Sequence, residues 1–329
     1  MTLSYRKRTN KGLVVLSTLL VLAACASHPT GLARPNGVAV APDGSLYVMD
    51  RGNYRVAHLS ATGRFLGSFG HLGSNSDDVY FGWNLALDSA GNIYICNLVA
   101  NPDGVGTAHD GIKVFSPNGR FLRELGGQDY AYGDESIPRN APYGLDIDSQ
   151  GRVYVADFGA NTVRVFDTQG KQVAQFFGKK GGEDGQLNGP NDVAVDDQRG
   201  LMYVTDSFNS RIQQFSLTVT TSGELTVTHR LSFGSYGRAP GQLAYPQYMV
   251  ADKASGKVYV GDMGNRRIQV FDAQGKAVAE FSPPGVSTWQ VMGLALGNDG
   301  AVYAADAFNN AIWVFEPDGR LRSRIEVQP

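Results

Sequence analysis

The sequence predicts an all-β protein, a six-bladed β-propeller of four-stranded antiparallel blades, and three observations predict it. The composition is that of a turn-rich, strand-rich chain: 41 of 329 residues are Gly, 15 are Tyr and 16 are Phe, and 42% are hydrophobic. One phrase then recurs six times, with copies starting near Asn36, Trp83, Tyr143, Asn191, Gln247 and Met292. Each copy finally reads as four short β-branched and aromatic runs separated by Gly and Asp turns. A repeat of about 40 to 50 residues with four strands cannot bury both faces of its sheet alone. Six in a ring bury each face against a neighbour and leave only short edges.

Taken in order, the chain opens on Arg6, Lys7, Arg8 and Lys11, followed by the apolar run Leu13 to Ala24. A run of twelve residues is too short to span a bilayer and suits the core of an export signal. The run ends in Leu22-Ala23-Ala24-Cys25, which resembles a bacterial lipobox with Cys25 as the lipidated residue. Residues 1–24 are expected to be a lipoprotein signal peptide and residues 25–33 a short tether, with the propeller over residues 34–329. Ala26 and Ser27 include no Asp, so the resemblance to Gram-negative sorting implies an exported protein, lipid-anchored at the outer membrane and facing the periplasm. Four of the 29 basic residues and none of the 31 acidic ones lie in residues 1–24, so the remainder carries a net charge of −6. That excludes a nucleic-acid-binding polycation. With Cys25 lipidated, Cys96 has no partner for an intramolecular disulfide and reads as a small apolar filler.

The first blade sets the pattern. Gly37 to Val40 is the first strand, Pro42-Asp43-Gly44 a turn, Leu46 to Met49 the second strand, Val56 to Leu59 the third and Arg64 to Phe69 the fourth. Pro190-Asn191-Asp192-Val193-Ala194-Val195-Asp196, with Tyr203-Val204-Thr205-Asp206 and Asn209-Ser210-Arg211-Ile212, resembles the NHL repeat, as do Tyr259 to Asp262 and Asn265 to Ile268. The resemblance covers residues 34–327 and implies six blades, with the first strand of each lining a central channel. Because the chain starts on an inner strand and ends on an outer one, Leu321 to Val327, closure is expected to rest on packing between blades one and six.

An Asp closes the second strand at Asp50, Asp157, Asp206, Asp262 and Asp306, and Arg55, Arg211 and Arg267 follow five residues later in three blades. Such repetition around a ring reads as turn capping and local ion pairing. Departures from the repeat are more informative. Blade two carries Asn97 in place of Asp, about nine extra residues around Val99 to His109, and a long connection from Gly127 to Ala141. Alternating strands put both loop types on one rim. Blade four's extra length, Leu217 to Thr228, reads as a hairpin on the opposite side.

Aligning the six first strands places Asn36, Trp83, Tyr143, Asn191, Gln247 and Met292 at one channel mouth, with Asn84, Asp192 and Tyr248 in the next ring. We take Asn36, Trp83, Asn84, Tyr143, Asn191, Asp192, Gln247 and Tyr248 as the candidate ligand-binding set. Amides and aromatics suit an envelope protein, a peptide or a glycan. One step deeper, Asp146 replaces a small residue.

Two enzyme families bear comparison. Arg34-Pro35-Asn36-Gly37 and Pro190-Asn191-Asp192 resemble motifs of regucalcin-like lactonases, which implies a calcium site built from Asn36, Asn191, Asp192 and Asp146. Peptidyl-hydroxyglycine amidating lyases use zinc held by His, whereas His28, His58, His71, His109 and His229 do not align with the mouth. No nucleophile elbow, phosphate loop or HExxH motif occurs. The reading favoured is a binding or scaffold module without a cofactor, attached to the membrane through its lipid alone. A metal-dependent hydrolase or lyase using calcium or zinc is the alternative.

Overall fold

A computed structural model describes residues 31–73, 75–98, 111–126, 141–220 and 224–327. They form six four-stranded antiparallel sheets, each with its strands side by side in chain order. The inner strands are Pro35–Val40, Phe81–Leu87, Pro142–Ile147, Pro190–Asp196, Pro246–Asp252 and Val291–Leu296. In blade one the remaining strands are Leu46–Asp50, Arg55–Leu59 and Phe65–Phe69. The Pro42-Asp43-Gly44 turn forms because Gly44 reaches φ 82° and donates its N–H to Ala41 O (2.8 Å), while Asp43 Oδ1 accepts the Ser45 N–H (2.9 Å).

The core is distributed rather than central. Six apolar clusters form, and each straddles one interface between adjacent blades. Cys96 fills the interface of blades two and three beside Ile112, Leu145 and Val155, and burial pushes its thiol pKa well up. The seam follows the same rule: Val38, Leu46 and Val48 of blade one pack on Ala295, Tyr303, Ile312 and Val314 of blade six. The last strand, Leu321–Ile325, stays in its own sheet, so face packing closes the ring as expected. Two polar contacts support the seam, Arg34 N–H to Asn310 Oδ1 (2.8 Å) and Asn298 Nδ2 to Pro42 O (2.9 Å).

The ring of Asp residues is structural. Asp50, Asp157, Asp206, Asp262 and Asp306 are fully buried. Each accepts a backbone N–H from the loop entering its blade, those of Ala33, Ala141, Asn188, Ala244 and Gln290. Each also binds a side chain of the third strand: Arg55, Arg164, Arg211, Arg267 or Trp313 Nε1. These contacts hold the loops entering each blade and those between strands two and three on one rim. Blade two has lost the charge pair: Asn97 Oδ1 accepts the Tyr80 N–H (3.0 Å), and Lys113 turns to the carbonyls of Asn75 and Asp78. Blade four's hairpin forms as expected, with nine-residue strands Arg211–Val219 and Leu225–Phe233.

Candidate functional site

At the throat the inner strands converge too closely for six side chains. The ring reads Gly37, Asn84, Gly144, Asp192, Tyr248, Gly293, so three glycines sit among three larger residues. A Cβ on Gly144 would lie 2.1 Å from Asp192 Oδ1, and one on Gly293 would lie 2.2 Å from Asn36 O. The glycines therefore make room, and Asn84, Asp192 and Tyr248 fill the throat, all buried. Asn84 Nδ2 donates to Asp192 Oδ1 (3.4 Å), and Asp192 also accepts the N–H groups of Val193 (3.0 Å) and Met249 (2.9 Å). Burial pushes the pKa values of Asp192 and of the Tyr248 phenol well up.

Above the throat a layered stack forms. Arg51 of blade one lies over the Trp83 ring of blade two (4.4 Å to the centroid), and Trp83 stacks on Tyr143 of blade three (4.5 Å, 18°). Tyr143 stacks in turn on Phe158 (4.6 Å, 22°). Phe208 and Tyr245 continue the row at tilted angles of 60° and 49°. The sequence reading assigned stacking on a ligand to Trp83 and Tyr143. Here their faces are spent on each other and on Arg51 and Phe158, so they form a wall.

Arg51 is half-buried and also lies over Phe81 (5.0 Å). Burial, with Arg34 as a like charge nearby, lowers its pKa, while the Tyr248, Tyr143 and Tyr54 hydroxyls oppose the shift. Among the described residues no carboxylate pairs with it. Two further donors at the mouth, Asn36 Nδ2 and Trp83 Nε1, are buried without a hydrogen-bond partner among the described residues.

The other predicted residues divide. Asn191 is committed to the fold, its Nδ2 donating to Ser207 Oγ (2.8 Å) and Gly189 O (3.3 Å). The Gln247 carbonyl accepts Thr205 Oγ1 (3.4 Å), and its side chain is buried. Asp146 lies on the far side of the throat, in a channel of about 880 Å³ that opens among the turns at 251–254 and 297–300. Its oxygens accept the N–H groups of Ile147 and Val195 (2.7 Å each), and burial raises its pKa to about 6. The loop around Val99 to His109, the connection from Gly127 to Ala141 as far as Asn140, and Cys25 lie outside the described residues.

The set Asn36, Asn191, Asp192 and Asp146 does not fit a calcium or zinc centre. Both carboxylates already accept backbone N–H groups and are shifted toward the neutral acid, Asn191 is engaged, and Asn36 presents an unpartnered donor. Among the described residues no group of three or more His, Cys, Asp or Glu is placed to hold a metal ion.

Arg51, Phe158 and Tyr245 are site residues that sequence reasoning missed. A signal existed: the position after the recurrent Asp is Arg51, Leu98, Phe158, Ser207, Met263 and Ala307. The Asp recurs in five of the six blades and the next residue differs in every one, which marks Arg51 and Phe158 though not Tyr245.

Fold and repeats together define the class: the chain belongs to the NHL-repeat β-propellers. The NHL repeat model matches residues 32–59 and 140–166, and the SMP-30/gluconolactonase/LRE-like region model matches residues 183–292. Among particular relatives, the chain is 26% identical over 283 residues to peptidyl-glycine alpha-amidating monooxygenase B of Xenopus laevis, a match covering 69% of this chain and 31% of that protein. It is 31% identical over 193 residues to the Rattus norvegicus enzyme, covering 56% of this chain and 18% of that one. The chain thus spans less than a third of these relatives. A gluconolactonase from Xanthomonas campestris has the same fold with a TM-score of 0.59 at 15% identity, over 87% of this chain and 86% of that one. A streptogramin B lyase has it with a TM-score of 0.56 at 15% identity, over 90% and 83%.

Proposed function

We propose that this propeller is a recognition module of the cell envelope, lipid-anchored through Cys25 at the outer membrane, that takes an anionic, amphipathic group of a protein, peptide or glycan partner at the mouth. One observation carries the reading. The mouth holds a half-buried arginine without a carboxylate partner among the described residues, beside two buried donors, Asn36 Nδ2 and Trp83 Nε1, without acceptors. A desolvated charge and unmet donors are costly in a bare site and are satisfied by an anionic acceptor. The aromatic wall supplies the apolar side of the contact.

The test uses N-acetylphenylalanine as a small amphipathic carboxylate and Trp fluorescence as the readout. Wild-type protein titrates, and Arg51→Met, which keeps the side-chain length, loses about 10- to 100-fold in affinity, as expected for a charge-assisted hydrogen bond. Equal affinity of the two proteins refutes the reading.

A second reading, a lyase or hydrolase requiring calcium or zinc, draws support from the amidating monooxygenase relatives and from the gluconolactonase and streptogramin lyase neighbours. The donor set at the mouth does not favour it. A rise in melting temperature on adding calcium or zinc to metal-free protein would favour it.

A further inference from the structure

The loops entering blades four and five are one scaffold built twice. Lys180 bridges Leu187 in the first, and Tyr236 bridges Leu243 in the second. Gly181 N–H donates to Leu187 O (3.1 Å) where Gly237 N–H donates to Leu243 O (3.2 Å). Gly185 N–H donates to Gln213 Oε1 and Gly241 N–H to Gln269 Oε1, both at 2.9 Å. Asn209 and Asn265 each donate to the paired glycine carbonyl at 2.8 Å. Arg211 and Arg267 bind the carbonyls of Glu183 and Ala239 alike (2.8 and 3.0 Å).

The side chains this scaffold carries differ. Lys180, Gly182, Glu183 and Asp184 of the first loop become Tyr236, Arg238, Ala239 and Pro240 in the second. The first loop stands without an aromatic or arginine at these positions, so the fold does not require Tyr236 or Arg238. One lysine and two acidic residues have gone and an arginine has come, so the net charge of the four positions changes from −1 to +1. Tyr236 is 81% exposed and Phe208 53%, an unusual degree of exposure for aromatic rings on one rim. With Tyr245 they border a groove of about 540 Å³, which adjoins a hollow of about 590 Å³ through Arg238, Gly264 and Asn265. Arg238 is exposed, with no acidic partner among the described residues.

We infer that this groove between blades four and five docks an extended acidic peptide segment, with Arg238 pairing a carboxylate and the Phe208–Tyr245–Tyr236 border receiving the apolar side chain beside it. The charge and the exposed rings fit that occupant. A glycan fits less well, because sugar stacking needs several open ring faces. Phe158, Phe208 and Tyr245 meet at tilted angles and form clefts, and Tyr236 is the most exposed ring among them. The groove shares Phe208 and Tyr245 with the row that leads from the mouth, but its occupancy does not rest on Arg51.

The test is made in an Arg51→Met background, so that mouth binding and groove binding fail separately. Immobilised protein is offered a pool of capped decapeptides with a fixed Asp-Leu pair, and the same pool with Asn for Asp. Retention of the acidic pool at least tenfold above the Asn pool is expected, falling to the Asn level in Tyr236→Ser and in Arg238→Ala. Both sites are exposed, and unchanged melting temperatures verify folding. Equal retention of the two pools, or retention indifferent to both substitutions, overturns the inference. Displacement of the peptides by oligogalacturonate at equal charge concentration overturns the peptide assignment in favour of a glycan.

Discussion

Gly293→Ala tests the throat directly, because the clash it creates is against backbone across the seam. The added Cβ would lie 2.2 Å from Asn36 O and 2.9 Å from Gly37 Cα. Ordinary contact begins near 3.4 Å, so the inner strands of blades six and one must part by about 1 Å. No flexible side chain can absorb that movement. It is transmitted to the seam core, where Val38 and Leu46 meet Ala295 and Ile312. Overpacking of this kind costs about 1–3 kcal/mol, and a backbone neighbour places it toward the upper end. At about 2 °C per kcal/mol for a chain of this size, the melting temperature should fall by roughly 4–6 °C. Two controls grade the series. A Cβ on Gly37 would meet Asn84 and Leu85 atoms at 3.1–3.2 Å, so Gly37→Ala should fall between, while Gly67 has nothing within 4 Å and Gly67→Ala should stay within about 0.5 kcal/mol. The assay is thermal unfolding followed by circular dichroism. A Gly293→Ala protein that melts with the wild type, or melts above Gly37→Ala, refutes the close-packed throat.

Two further outcomes follow from buried carboxylates. Asp206→Ala strips acceptors from Arg211, Asn209, Gln213 and the Asn188 N–H, and should destabilise by about 3–5 kcal/mol in urea unfolding; a loss under 1 kcal/mol would contradict the structural role of the Asp ring. Asp146 holds its proton in the folded chain up to about pH 6, against 3.8 as its ordinary value, because burial disfavours the charge. The folded state therefore binds more protons between about pH 4 and 6, and this contribution is present below that window and lost as pH rises through it. The full span is about 3 kcal/mol, reduced by channel water. Melting temperature measured from pH 4 to 7 should decline more for wild type than for Asp146→Asn, and parallel profiles would refute the assignment.

Much of the fold was legible because repetition averages out local ambiguity. Blade one's strands fall within two residues of their sequence bounds, since Gly44 and Gly63 supply turns that end each run. The structural reading of the Asp ring was legible for the same reason: five copies with partners at fixed spacing point to the scaffold. The mouth was legible in outline, as alignment of the first strands brings Trp83 beside Tyr143 and Asn84 beside Asp192. What alignment does not give is depth. Three throat glycines let Asn84, Asp192 and Tyr248 close the passage, so Asp146 belongs to the opposite opening. Nor does it give side-chain partners across blades, and Arg51 reaches Trp83 from the neighbouring blade's loop, outside the aligned strands.

The throat changes what a departure from sixfold symmetry means. An open tube would offer one site with two ends, and any odd residue along it would bear on the same ligand. A closed throat makes two separate hollows, a donor-rich aromatic mouth and a channel walled by Leu85, Val193, Met249 and Leu294. Departures must then be weighed by which hollow they face and by whether the backbone changes with them. Arg51, Tyr236 and Arg238 are different: each sits on a backbone that another blade builds without it. The backbone of the loop does not require such residues, because another copy adopts it without them, and binding supplies a physical reason for their presence on the rim.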